Sequence, residues 1–131
     1  MKTAKLILQS KSTTDAYNVI AQLNNLAANK NPESVPFSKF LHAAIKTGTT
    51  EFQVTLVNCT KKEAIIALRD ILRMYKCFNL TGKLLCYNPL IKQEEKIISL
   101  PIDFDSPSGS EALDKLNKTY HTKFTEEDLI I

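Results

Sequence analysis

Between Phe52 and Val57 the chain alternates one residue at a time. Phe52, Val54 and Leu56 fall on one side, Gln53 and Thr55 on the other. A period of two marks a strand covered on one face. At Thr60 the period changes. Through "TKKEAIIALRDILRMYK", residues 60–76, apolar positions recur at helical spacing, and Ala64, Leu68, Ile71 and Tyr75 share one side. Thr60 and Glu63 have the T-x-x-E spacing of a capping box, which sets the helix start. The far side carries Lys62, Arg69, Arg73 and Lys76 within an arc of roughly 60°, with Ile66 at its margin.

The same reading extends along the chain. "AKLILQ", 4–9, predicts a strand. Residues 12–32 predict a helix, with capping candidates from Ser12 to Asp15 and Pro32 as its stop. Its apolar face holds Ala16, Val19, Ile20, Leu23, Leu26 and Ala27; its polar face holds Asn18, Gln22, Asn25 and Asn29. "SVPFSKFLHAAIKTG", 34–48, predicts a second helix, with Ser34 as N-cap, Pro36 in the first turn and Gly48 in the left-handed position after the last. Phe37, Phe40, Leu41, Ala44 and Ile45 are expected to face inward, and Lys39, His42 and Lys46 outward. Two strands near 83–88 and 95–102 read as a hairpin, with Pro101 at an edge or a strand end. "DFDSPSGS", 103–110, has linker composition, and Ala112, Leu113, Leu116 and Tyr120 form a short helical stripe beyond it. The expected order is β-α-α-β-α-β-β-α, an α+β two-layer sandwich of about four strands with helices packed on the sheet. Residues 1–102 are expected to form the core domain, and 103–131 an acidic C-terminal extension with a short helix. That extension either docks on the core, the favoured reading, or presents Leu129, Ile130 and Ile131 to a partner.

A length of 131 residues suits one domain with a sizeable core. No apolar run reaches the roughly 20 residues of a membrane span. Leu6–Leu8 is too short for a secretory apolar region of roughly 7–15 residues, so a cytoplasmic location and no membrane partner are expected. Fifteen of the 17 basic residues are lysine, and Asn and Ile are plentiful. That bias suggests an AT-rich genome such as a phage, an organelle or a low-GC bacterium. Residues 1–102 carry a net charge of +7 and residues 103–131 a net charge of −4, within a total of +3. A basic body with an acidic tail attracts a polyanion or neutralises itself in cis.

Catalytic, cofactor and metal signatures are not found in the sequence. Cys59, Cys77 and Cys86 lack C-x-x-C spacing and read as free thiols, buried or half-buried. His42 and His121 have no ligand partner at metal spacing. Three glycines supply no phosphate loop. The pairs Glu94/Glu95 and Asp103/Asp105 read as solvated loop carboxylates.

Residues 51–71, "EFQVTLVNCTKKEAIIALRDI", resemble the opening of the C-terminal domain of the ribosomal stalk protein of the bacterial large subunit, with its F-x-V-x-L strand, paired lysines and helix ending R-x-I. The resemblance stops there. The Gly-Leu-Gly turn and the short lysine-bearing second helix, which carry that family's factor-binding surface, are missing from "LRMYKCFNLTGKLL", and no function is carried over.

Two contact surfaces remain. The basic stripe of Lys62, Arg69, Arg73 and Lys76 suits phosphate or an acidic protein patch, or is simply solvated. Its two arginines point away from the sheet and are expected to be dispensable for folding. The uncharged face of Asn18, Gln22, Asn25 and Asn29 desolvates at low cost, or reflects codon bias. The expected function is that of a small non-enzymatic interaction or regulatory protein. Its partner would be a protein or a second copy of itself, with a nucleic-acid-binding module using the basic stripe as the alternative and no small-molecule substrate.

Overall fold

The computed structural model describes residues 3–131. Nine regular elements follow one another: β1 (Thr3–Gln9), α1 (Thr13–Ala28), β2 (Leu41–Lys46), β3 (Glu51–Val57), α2 (Lys61–Met74), β4 (Thr81–Asn88), β5 (Gln93–Leu100), α3 (Pro107–Tyr120) and the single turn α4 (Glu126–Leu129). The sheet is antiparallel throughout, in the order β2-β3-β1-β4-β5. The first four strands with α1 and α2 form a split βαβ topology, to which the β4–β5 hairpin adds an edge. The architecture is α+β as expected, with five strands rather than four.

The extra strand comes from the predicted second helix. Residues 34–48 instead form a short 3-10 turn, Pro36–Phe40, followed by β2. Leu41, Ala43 and Ala44 have the intrinsic preference of helix formers, but the four residues 47–50 close a hairpin onto β3. Thr47 and Gly48 both donate their N–H groups to the Glu51 carbonyl, at 3.0 and 3.1 Å. Pairing with β3 satisfies the N–H and C=O groups that β3 would otherwise leave open on that side, and this tertiary gain overrides propensity. Consequently Ile45 faces solvent instead of the core, and Gly48 does not take a left-handed conformation.

Alternation makes the sheet two-faced. Ala4, Leu6 and Leu8 of β1 align with Leu56, Val54 and Phe52 of β3 and with Cys86, Leu84 and Gly82 of β4. Helices cover that face: α1 lies over β2 and β3, and α2 over β4, β1 and β5. On the opposite face Lys5, Ile7, Gln53, Thr55 and Leu85 stay half-buried and Lys83 exposed. Lys5 pairs there with Glu94.

Local signals explain the helices. Ser12 caps α1, its hydroxyl accepting from the Asp15 N–H at 3.1 Å. The capping box of α2 is closed in both directions, Thr60 N–H to Glu63 Oε1 at 2.9 Å and Glu63 N–H to Thr60 Oγ1 at 3.1 Å. Ala64, Leu68, Ile71 and Tyr75 are buried, as their spacing predicts, and Ile65, Ala67 and Leu72 join them to widen the apolar face. In α3, Leu113 and Leu116 are buried, whereas Ala112 of the predicted stripe is exposed. Leu113, Leu116, Phe124 and Leu129 all belong to the same hydrophobic cluster as the sheet.

Gly109 sits in the first turn of α3 against backbone. A Cβ there would lie 2.1 Å from the Asp103 carbonyl oxygen. Alanine normally stabilises a helix over glycine by about 1 kcal/mol. At Gly109 the sign reverses: Gly109→Ala is expected to lower stability by about 1–3 kcal/mol, as overpacking against rigid atoms does. Urea denaturation checks it, and a stability gain would mean that the 103–109 turn yields freely.

Candidate functional site

The cations of α2 divide into two kinds. Lys62 and Lys76 are exposed. Arg69 and Arg73 hold the C-terminal segment. Arg69 is half-buried; its Nε and Nη2 contact Asp70 Oδ1 at 2.9 and 2.8 Å, and its Nη1 donates to the Asp128 carbonyl at 3.1 Å. Arg73 donates from Nε to the Ile130 carbonyl at 2.8 Å and from Nη2 to the Glu127 carbonyl at 3.1 Å. All three carbonyls lie at the C-terminal end of α4, where a helix leaves its acceptors without partners. Positive charge is favoured at that end, and a guanidinium fork reaches several acceptors at once where an ammonium cannot. Leu129, between the clamped residues, is fully buried. The basic body and acidic tail thus meet partly in cis.

The tail is prepared for this contact by its own hydrogen bonds. Asn117 of α3 donates to the Phe124 carbonyl at 2.8 Å and accepts from the Phe124 N–H at 2.9 Å, fixing the turn into α4. Thr125 and Asp128 close a second capping box, Thr125 N–H to Asp128 Oδ2 at 2.8 Å and Asp128 N–H to Thr125 Oγ1 at 3.3 Å. The Thr125 N–H holds the Asp128 carboxyl below the usual carboxylate range; the Thr125 hydroxyl and the charges of Arg69 and Arg73 act in the same direction.

The amide face of α1 is all exposed: Asn18, Gln22, Asn25 and Asn29. Asn29 Nδ2 donates to Asn25 Oδ1 at 2.9 Å. Nearby, Tyr17 is exposed and the Lys46 ammonium sits 4.3 Å from its ring centroid. The amide that does structural work is one the periodicity did not single out. Asn24 donates to the Ala44 carbonyl and accepts from the Ala44 N–H, both at 2.8 Å. It thereby occupies the outer edge of β2. The only trace of this in the sequence is one more Asn beside a polar face. The structure does not bring the α1 and α2 surfaces together into one site: α1 lies over β2 and β3, and α2 over the other half of the sheet.

Two features escaped the pattern reading. The β4–β5 hairpin ends in exposed Tyr87, Leu90 and Ile91, with Leu90 at 91% exposure. Cys77 is exposed, against the expectation of covered thiols. Cys59 is buried, and desolvation pushes its thiol up to about 11, with the neighbouring Cys86 and Glu63 adding to the effect. Among the described residues no three His, Cys, Asp or Glu side chains converge as metal ligands.

No family model, curated protein or solved structure matches this chain.

Because the arginines anchor the tail, their replacement is no longer expected to be free of cost. Arg69→Gln with Arg73→Gln removes charge-assisted bonds and should cost about 1–3 kcal/mol. Trypsin should then cut at Lys123 before the rest of the domain unfolds, and a protection pattern like that of the wild type would show that buried Leu129 holds the tail alone. Acid should release the same segment. The Asp128 carboxyl has a folded value below its ordinary 3.8, so its contribution is present above that value and is lost as pH falls through the depressed one. Amide protection at 125–130, relative to the intrinsic exchange rate at each pH, should fall on acidification below the usual carboxylate range, ahead of that of the β1 and β3 amides.

Proposed function

We propose that this is a small non-enzymatic interaction protein whose partner is another protein. The observation that carries the reading is the outer face of α1. From Ala16 to Asn29 no residue is charged, and Asn18, Gln22, Asn25 and Asn29 all stand in solvent. Ordinary surfaces carry charge of both signs, which keeps them hydrated and unpartnered. Neutral amides lose water at lower cost than charges and offer both donors and acceptors to a partner. Tyr17 adds a residue type enriched at protein interfaces. A phosphate-binding role for Lys62, Arg69, Arg73 and Lys76 has less support, because the guanidinium donors already serve the C-terminal segment. Nucleic-acid binding through that face would require the tail to leave.

The test places a charge pair on the α1 face without straining the helix. Gln22→Lys with Asn25→Glu adds opposite charges three residues apart, an arrangement that is neutral or slightly favourable for helix stability. Affinity purification with the wild-type chain should recover a protein partner. The double variant should melt at the wild-type temperature and bind that partner at least about tenfold more weakly. Equal binding by the two chains would remove α1 from the contact. Retention of the wild type on a DNA column at physiological salt, lost in Lys62→Gln with Lys76→Gln, would favour the nucleic-acid reading instead.

A further inference from the structure

The sheet has two edges, and the chain treats them differently. At β2 the outer edge is blocked around Ala44. Asn24 takes both backbone groups of Ala44, and Lys30 reaches the Leu41 carbonyl. Such side-chain cover hinders an edge from recruiting another strand. A register shift is common to both edge strands, between Leu41 and Ala43 in β2 and at Ile97 in β5. At β5, among the described residues, no hydrogen bond from a loop, helix or side chain reaches the backbone of Gln93–Leu100. A groove of about 350 Å³ runs along this open edge, between β5 and α3. Its walls include Ile97, Ile102, Ala112, Leu116 and Tyr120.

We propose that the β5–α3 groove takes an extended peptide segment of a partner protein as a sixth strand of the sheet. The open backbone groups on either side of the Ile97 irregularity specify the conformation of the occupant, because an extended chain matches them best. The wall specifies its side chains. In an added strand, alternate residues point to opposite faces. Those turned toward α3 meet Ala112, Leu116 and Tyr120. The rims specify its charge. Lys96 on β5 and Lys115 on α3 line the groove and form no ion pair among the described residues. The one lining carboxylate, Glu95, already accepts from Asn88 at 2.8 Å. The fitting partner therefore alternates aliphatic with acidic residues. A second copy of this chain fits less well: pairing β5 with its symmetry mate brings a second α3 to the same side of the sheet, against the first. The proposal shares with the preceding section the expectation of a protein partner, but uses none of the α1 residues.

The experiment uses the full chain and a displayed library of random dodecapeptides. Selected peptides should alternate aliphatic with acidic residues. Methylating a backbone nitrogen that pairs with β5 should weaken binding at least about tenfold, while methylating its sequence neighbours should not, since only every second N–H of a strand faces one partner. Binding should slow amide exchange in β5 and leave β2 unchanged. Ala112→Glu, on an exposed helix position, should abolish binding without lowering stability. Lys96→Gln with Lys115→Gln should weaken it about tenfold. Gln22→Lys with Asn25→Glu should leave peptide affinity untouched, so this site and the α1 surface fail or succeed separately. Several outcomes overturn the proposal: no selectable peptide, peptides indifferent to both N-methylation and Ala112→Glu, or a dimer that Ala112→Glu dissociates.

Discussion

The close seat of α2 on the middle of the sheet governs the rest of this fold. β4 passes beneath the helix at Gly82, where a Cβ would stand 2.4 Å from Leu8 Cδ2 and 2.9 Å from Leu68 Cδ1. Only the missing side chain lets the fully buried Leu68 settle between β1 and β4. Once Leu68 is seated, the rotation of α2 about its axis is set by the helical repeat. Arg69 and Arg73 are then turned to the far side, at the spacing that meets three carbonyls of a helix end, those of Glu127, Asp128 and Ile130. The interior packing of one leucine thus determines where the C-terminal segment is held.

The helix layer covers one face of a five-stranded sheet and leaves the other as a mixed polar and apolar surface. Such a sheet can grow only at its edges, and the chain closes one of them with the side-chain amide of Asn24. That amide mimics a strand by supplying one donor and one acceptor to Ala44. Leaving such an edge unblocked exposes backbone groups that invite another chain. The asymmetry between β2 and β5 is therefore informative: a chain that needed only solubility would gain from blocking both.

Charge is arranged by the same economy of contact. The tail is acidic and the body basic, yet the four hydrogen bonds from α2 to the tail and to Asp70 that matter most are short-range and directional, and three of them go to neutral carbonyls. The guanidiniums complete a helix end that would otherwise carry unpaired acceptors. Their charge also helps hold Asp128 ionised, which in turn keeps the capping box that starts α4. The two ends of a one-turn helix are thereby secured by one surface of α2.

Much of this was legible beforehand. The strict alternation of Phe52, Val54 and Leu56, the Thr60–Glu63 box, the buried row of Ala64, Leu68, Ile71 and Tyr75 and the β4–β5 hairpin all follow from patterns within a few residues of each other. So does the exposure of Asn18, Gln22, Asn25 and Asn29. Where local preference and distant pairing disagreed, at 41–46, distance prevailed: Leu, Ala and Lys favour helix, but β3 had an unpaired side and a four-residue turn led to it. The contacts that give the surfaces their meaning are longer still. Arg69 meets a carbonyl 59 residues on, and Asn24 a strand 20 residues on. By itself the sequence determined period, caps and class, because those depend on neighbours along the chain. Only the tertiary structure decided that the arginines bind the tail, that one edge is closed and that the other is open, because a backbone carbonyl or an unpaired edge has no signature in side-chain order and acquires a partner only when remote segments are packed together.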